Sequence, residues 1–513
     1  MTLLTIDVFL SLAALTSVVL LIRRTKRYRL PPGPKGLPFI GNALQVPKIL
    51  EWVRYRDWSR EYGSDIIHLN MAGTPLIVLN SARAVNDLME KRSALYSDKE
   101  YHPMVQDYLG WDKNFAFIAH DDYWREHRRL FHQYFNQTVV KNYHSVLLTV
   151  TKKMLVQLYG KPDGFMEHFR LMTGSMILRI TYGLDIKSAD DPLIVTAEKA
   201  LQSLSKFGNS GSSLEGYIPI LRYLPAWMPG AGVKREALRW RPFVDAMFER
   251  PFQLVKDALA NGTASPSILA TIFTKGEDNR GSIPADNIIR NVVGTAFVGG
   301  TDTTVSSLGT FMLAMTKYPD VLRRAQREID EVVGQDRLPK FEDRDSLPYV
   351  EAIVKEVARW HPVLPLSVSR QLKEDDEYMG YDLPAGSIVV GNSWAVVNEE
   401  GRFPHPETFD PTRYLNADGS LNKTAPDPEE VVFGFGRRVC PGRHLAMDTV
   451  WINAAYILAT MDINRPVDEF GNAIDPSGEY TSGLFSYPLP FKAIIKPRSE
   501  HALQLIQALE LDE

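Results

Sequence analysis

The chain of 513 residues has one cysteine, Cys440, and it lies in the run Phe433-Gly434-Phe435-Gly436-Arg437-Arg438-Val439-Cys440-Pro441-Gly442. A lone cysteine is ordinarily an inert, small, buried hydrophobe. Its neighbours argue for more. Gly436 and Gly442 flank it where a tight loop needs unhindered backbone, so amide N–H groups can turn toward the sulfur, and Arg438 adds positive charge. Both effects favour the thiolate, the form that attacks as a nucleophile or binds a soft metal. Nucleophilic catalysis needs a partner base, and no local signature of a cysteine protease or a redox pair surrounds Cys440. A structural zinc site needs several cysteines and histidines at close spacing. The chain has one cysteine, no His-Glu-x-x-His run and eleven scattered histidines. What remains is a single thiolate on the proximal face of a haem iron, whose porphyrin supplies the equatorial donors itself.

Phe433, Gly436, Arg438, Cys440 and Gly442 fall on the pattern Phe-x-x-Gly-x-Arg-x-Cys-x-Gly. In this the chain resembles the cytochromes P-450, the haem-thiolate monooxygenase superfamily. Three further constellations stand in the order the superfamily has them, so the resemblance covers nearly the whole chain. Glu356 and Arg359 are three apart in 349–359, whose apolar spacing predicts a partly buried helix. Alone they read as an ordinary surface ion pair. The resemblance instead implies a buried Glu-x-x-Arg pair closed by a later arginine, matched by Arg413 in Phe409-Asp410-Pro411-Thr412-Arg413-Tyr414. These three are then architecture that fixes the cysteine loop, without a part in the chemistry.

Gly299-Gly300-Thr301-Asp302-Thr303-Thr304 interrupts an apolar helical run over 288–315. Glycines and an acid are poor choices inside a buried helix. Taken alone they read as a kink packed on another helix, with Asp302 hydrogen-bonded. The resemblance makes this the oxygen-activating motif over the distal haem face, with glycines opening the helix and Thr303 and Asp302 delivering protons. The acid is aspartate where many eukaryotic members have glutamate. Trp124-Arg125-Glu126-His127-Arg128-Arg129 reads alone as a solvated basic face with an aromatic anchor. By resemblance, Trp124 and Arg128, one helical turn apart, reach the haem propionates, as do Arg438 and Arg370. Arg125 and Arg129 are left for a basic surface that docks an electron donor.

These groups require a large scaffold. With 44% hydrophobic and 23% charged residues and a net charge of −4, the composition is that of a large globular protein with no sign of a nucleic-acid partner. No linker or internal repeat divides it. Long apolar and amphipathic patterns dominate, for instance 321–333 with Leu322, Ala325, Ile329, Val332 and Val333 on one face. Strand signals at 66–70, 76–79 and 388–390 are few. The expected fold is mainly α with small β-sheets, a single cytochrome P-450 fold preceded by one N-terminal transmembrane helix.

Residues 3–22 are almost wholly apolar, and Arg23, Arg24, Lys26, Arg27 and Arg29 follow directly. A run of about 20 apolar residues can span a bilayer, and the following charges should keep the rest of the chain cytoplasmic. With no positive segment before it, the run reads as an anchor and not as a cleaved leader. The expected organisation is an anchor over 3–22, a basic and proline-rich hinge over 23–38 forming a stiff spacer, and a haem-thiolate catalytic domain over 39–513. Residues 217–229, rich in proline and large apolar groups, fit a second membrane contact or simple packing on the core equally well.

The resemblance is to microsomal members, in particular fungal ones of secondary or xenobiotic metabolism. It implies haem b (iron protoporphyrin IX), the endoplasmic reticulum membrane as a single-pass location and a cytosolic catalytic domain. Without a flavin- or nicotinamide-binding Gly-x-Gly-x-x-Gly, the chain needs electrons from another protein. The resemblance implies an NADPH-dependent flavoprotein reductase, with cytochrome b5 as a second donor. Segments 101–118, Phe297, Val298, 364–368 and 482–485 are expected to border the pocket, and their aromatic and aliphatic character suits a lipophilic substrate. One departure from the family pattern follows Trp394-Ala395, where Asn398-Glu399-Glu400 replaces an Arg/His-Asp-Pro ending. Two other functions stay open. One is a haem-thiolate isomerase or dehydratase acting on a peroxide already in its substrate, and the other is a non-catalytic haem sensor. Thr303 argues against the first, and the glycine-threonine opening against the second.

Overall fold

The computed structural model describes residues 28–208, 225–229, 231–275 and 284–511. The anchor expected at 3–22, the basic residues Arg23, Arg24, Lys26 and Arg27, and residues 217–224 lie outside them. Among the described residues no helix is long and apolar enough to cross a membrane. Numbering the longer helices in chain order, the elements are α1 (Glu51–Tyr62), β1 (Ile66–Met71), β2 (Thr74–Leu79), α2 (Asp122–Phe135), α3 (His144–Gly160), α4 (Phe165–Tyr182), α5 (Pro192–Phe207) and α6 (Gly232–Ala260). There follow α7 (Asp286–Lys317), α8 (Pro319–Val332), α9 (Pro348–Trp360), β3 (Arg370–Gln371), β4 (Asp376–Tyr378), β5 (Tyr381–Leu383), β6 (Ile388–Gly391), α10 (Arg443–Thr460), β7 (Met461–Asn464), β8 (Ile494–Pro497) and α11 (Glu500–Leu511).

The fold is mainly helical, as expected. α7 is apolar around most of its circumference, and such a helix is stable only when surrounded. It packs against α2, α4, α6, α9 and α10. The small sheet runs β1-β2-β6-β3, with β1 and β2 antiparallel, β2 and β6 parallel, and β6 and β3 antiparallel. The strand signals at 66–70, 76–79 and 388–390 are all in this sheet. Its apolar residues make cores distinct from the helical one. Ile66, Ile77, Leu88, Met89, Tyr96 and Phe435 form one of them.

One expectation needs adjustment. On α8, Leu322, Ala325 and Ile329 are buried, but Val332, at the last helical position, is 43% exposed. Residues 28–38, the described part of the expected proline-rich hinge, lie along the sheet. Pro32 accepts the His68 N–H at 3.0 Å, and Arg29 exchanges backbone bonds with Asp382, donating to its carboxylate at 2.7 Å and accepting from its N–H at 2.8 Å. Gly33 is so close to the His68 carbonyl that a Cβ would stand 2.0 Å from it, so this stretch is seated on the body.

Candidate functional site

The cysteine loop spans the seam between the two cores: Phe433 packs on the helical core and Phe435 is buried in the sheet core. Backbone bonds tighten it, with the Cys440 N–H donating to the Phe433 carbonyl at 2.8 Å and the Arg438 N–H to Phe435 at 3.2 Å. Gly436 turns the chain at φ +53, and a Cβ there would lie 2.4 Å from the Met89 carbonyl, so only glycine fits. Gly442 then leads into α10, which packs against α7.

The half-buried Cys440 thiol is pushed up by desolvation, while the Gly442 amide and the charges of Arg128 and Arg443 pull it down. Burial is the largest influence. The charges that reach the sulfur are those of Arg128 and Arg443, while Arg438 is bonded to backbone carbonyls on the other side of the loop.

Arg438 lies over Trp124, its guanidinium carbon 4.3 Å from the ring centre. It donates to the carbonyls of Ser97 at 2.8 Å, Ile118 at 2.8 Å and Phe115 at 3.3 Å. Arg370 is buried and donates to the carbonyls of Phe435 at 2.6 Å and Tyr96 at 3.3 Å. Burial lowers Arg438 to about 9, with Arg370 adding to it, and lowers Arg370 to about 10. Lys99, buried against the carbonyls of Val368 and Ser369 at 3.2 and 2.7 Å, is pushed well down by burial and by both arginines. Arg128, one turn beyond Trp124 on α2, is lowered by burial and has no hydrogen-bond or ion-pair partner among the described residues.

Arg438, Arg370, Lys99 and Arg128 are thus desolvated without an ion-paired carboxylate among the described residues, and Arg128 lies within electrostatic reach of Cys440. Asp98, Asp121, Glu90 and Glu100 oppose the shifts through space. Buried charge in this arrangement calls for anions. The two propionates of haem, with Cys440 as axial ligand, match both the cations and the thiol, so the residues fit that cofactor. Lys99 was missed in the sequence, where it belongs to none of the motifs. His120, its ring tilted against that of Trp124 with centres 4.8 Å apart, was missed too and carries no motif signal. Arg125 is exposed and paired with Asp122.

The second cluster is on α7. The Thr303 hydroxyl donates to the Gly299 carbonyl at 2.7 Å, and a Cβ at Gly299 would meet nothing within 4 Å. Asp302 accepts a hydrogen bond from Tyr487, outside any motif. Burial raises Asp302, against the opposing pull of Tyr487 and Arg170. Phe115 joins the two clusters: its carbonyl accepts from Arg438, and its N–H donates to Thr295 of α7 at 3.4 Å. Phe297, expected at the substrate pocket, is instead fully buried and packs edge-on against Tyr182, a core residue with no surface for a ligand.

The structural triad closes as expected and is not a surface pair. Arg359 grips Glu356 through two bonds of 2.8 Å, Arg413 adds a third at 3.2 Å, and the Glu356 and Arg359 side chains are fully buried. Arg359 also donates to the carbonyls of Val397, Pro406 and Thr408. Next to it on α9, Lys355 bonds Asp427 at 2.7 Å, just before the cysteine loop.

The family model described as Cytochrome P450 matches residues 31–466. Cytochrome P450 monooxygenase 98 of Postia placenta is 42% identical over 96% of this chain and 95% of its own length. Tryptamine 4-monooxygenase of Psilocybe cyanescens is 40% identical over 94% of this chain and 96% of its own. Cytochrome P450 monooxygenase ple1 of Rhodocybe pseudopiperita is 40% identical over 95% and 93%.

Proposed function

The chain belongs to the cytochrome P450 family, and from that premise we propose the roles of its residues, its electron donor, its membrane and its substrate class. Membership makes it a haem b monooxygenase that takes electrons from a redox partner and places one atom of dioxygen in an organic substrate. When bound, the haem would supply dioxygen activation, and the Cys440 thiolate would hold its iron. Arg128, Arg438, Arg370 and Lys99 neutralise the propionates, with Trp124 stacked under Arg438. Phe433, Gly436 and Gly442 shape the loop. Thr303 offers a hydroxyl on the distal side, and Asp302 exchanges protons with solvent and passes them toward Thr303. Glu356, Arg359 and Arg413 hold the loop in place.

The electron donor is an NADPH-dependent flavoprotein reductase, with cytochrome b5 as a second donor and Arg125 and Arg129 on the docking side. Residues 3–22 anchor the chain in the endoplasmic reticulum membrane with the catalytic domain cytosolic. Trp227, 79% exposed, fits the membrane alternative for the segment it ends. The substrate is lipophilic and the setting is fungal secondary or xenobiotic metabolism. The relative named for tryptamine adds an aromatic amine to the panel worth testing.

The observation that carries the site assignment is that Arg128, Arg370, Arg438 and Lys99 are desolvated with no ion-paired carboxylate among the described residues, with Arg128 in reach of Cys440. Its test is the carbon monoxide difference spectrum of dithionite-reduced membranes containing the chain. The strongly red-shifted Soret band of thiolate-ligated haem is expected. A persistent neutral-ligand band in freshly prepared protein would overturn the role given to Cys440.

A further inference from the structure

Asp302 has a partner that none of the motifs contains. Tyr487 lies in a hairpin over 479–489, closed by Thr481 N–H to the Tyr487 carbonyl at 2.8 Å, Tyr487 N–H to the Thr481 hydroxyl at 2.9 Å and Leu489 N–H to Glu479 at 2.8 Å. Ser486 pins this hairpin to the body. Its N–H donates to Val363 at 2.9 Å, its hydroxyl bonds His361 at 2.8 Å, and its carbonyl accepts the hydroxyl of Ser306 on α7. The backbone of Tyr487 is therefore registered against the helix that carries Asp302, and its phenol donates to the Asp302 carboxylate.

On the other side stands α4. The Thr173 hydroxyl donates to the Thr301 carbonyl at 2.6 Å, so α4 is registered to α7 at the residue before Asp302. One turn earlier, Arg170 is within electrostatic reach of Asp302 and faces Glu198 of α5 at 3.8 Å, with side chains 37% and 47% exposed. Asp302 thus stands between a withdrawn phenol and a surface ion pair. No hydrogen bond among the described residues joins it to Thr303, whose hydroxyl is engaged with Gly299.

We propose that Tyr487 is a positioning residue for proton delivery: its phenol holds the Asp302 carboxylate toward the Arg170–Glu198 surface pair, where it collects a proton from solvent. Asp302 then leaves Tyr487 to release that proton toward Thr303. The inference rests on the proton roles proposed above for Asp302 and Thr303. The balance is simple. Water at the surface gives up a proton, Asp302 becomes the carboxylic acid and then returns to carboxylate, and Tyr487 keeps its own proton throughout. Burial and the adjacent carboxylate hold the phenol well above its usual range, which suits a permanent hydrogen-bond donor. The charged and titratable groups facing Asp302 are Tyr487 on the hairpin, Arg170 on α4 and Glu198 on α5. Tyr487 and Arg170 both favour the ionised acid. Removing either leaves Asp302 protonated to higher pH.

The test uses the full chain in membranes with reductase and NADPH. It reads the fraction of consumed dioxygen released as hydrogen peroxide, which needs no known substrate. For Tyr487→Phe the expected result is an unchanged carbon monoxide spectrum, a severalfold rise in the peroxide fraction, an altered solvent deuterium isotope effect, and a pH profile displaced to higher pH. Y487Q, which restores a neutral donor, should recover part of the loss. R170Q, at the surface, should displace the pH profile the same way and serves if Y487F loads no haem. In the resting protein, the infrared carboxyl band that D302N abolishes should shift in Y487F.

Unchanged peroxide fraction, isotope effect and pH profile in Y487F or in R170Q, while D302N raises peroxide, would overturn the role of Tyr487 and leave that of Asp302 standing. A Y487F protein that loses haem loading alone, with an unaltered peroxide fraction per haem, makes Tyr487 merely structural and overturns it too. If D302N is also unchanged, the proton role of Asp302 itself is wrong.

Discussion

Replacing Glu356 by glutamine tests whether the buried triad holds the cysteine loop. The carboxylate accepts from Arg359 twice at 2.8 Å, from the Asp410 N–H at 2.9 Å and from Arg413 at 3.2 Å. In Glu356→Gln the best rotamer leaves the amide oxygen on the crowded side, where three donors meet, and turns the amide NH2 against the Arg359 Nε. One charged donor then faces another donor, and two guanidinium groups lose the anion they share. Removing one member of a buried ion pair costs about 3–5 kcal/mol. The lower end applies, because Arg359 keeps three backbone carbonyls. A loss of about 3 kcal/mol lowers the folded-to-unfolded ratio by about a hundredfold. Against a typical total of about 5–15 kcal/mol this is a large share.

Arg413→Gln, by contrast, leaves the Arg359 fork intact and should cost about 1 kcal/mol. The assays are the urea midpoint by tryptophan fluorescence and the yield of haem-loaded protein per total protein. E356Q should fall well below R413Q in both. Equal values for the two variants, or a parental midpoint in E356Q, would refute the assignment of a shared buried carboxylate.

Arg128→Leu should invert the usual sign of a mutation. Arg128 is desolvated and unpaired without its anion, so the variant should make the haem-free protein more resistant to urea while speeding haem transfer to apomyoglobin by about tenfold or more. Slower denaturation together with unchanged haem transfer would remove Arg128 from the propionate site. Cys440→Ser should abolish the thiolate-type carbon monoxide band, and a retained band would end its assignment as ligand. Thr303→Ala removes one hydroxyl bonded to Gly299, so stability should change by less than about 1 kcal/mol. The peroxide fraction should nevertheless rise severalfold, and an unchanged fraction would take Thr303 out of proton delivery.

Local pattern alone was enough for the helices α7 and α9, because their apolar spacing and length leave no other stable conformation than a buried or half-buried helix. It was also enough for the strands at 66–70, 76–79 and 388–390. The same reasoning failed at the edges. Val332 belongs to the periodic face but sits where α8 ends, and Phe297 belongs to a segment near the distal site but turns into the core against Tyr182. Period says which residues share a face. It does not say what the face meets.

What the sequence by itself determined is the chemistry available: one thiol in a glycine-flanked loop, an acid and a hydroxyl side by side in an apolar helix, and a Glu-x-x-Arg pair with its later arginine. Such signals are short in sequence, so spacing preserves them. Only the tertiary structure decided the electrostatic balance. It brought Lys99 within electrostatic reach of Arg370 and Arg438, set Arg128 and Arg443 within reach of the sulfur, and laid Tyr487 on Asp302 across 185 residues of chain. Desolvation and charge pairing depend on distance and on the surrounding medium. Neither is written in the order of residues.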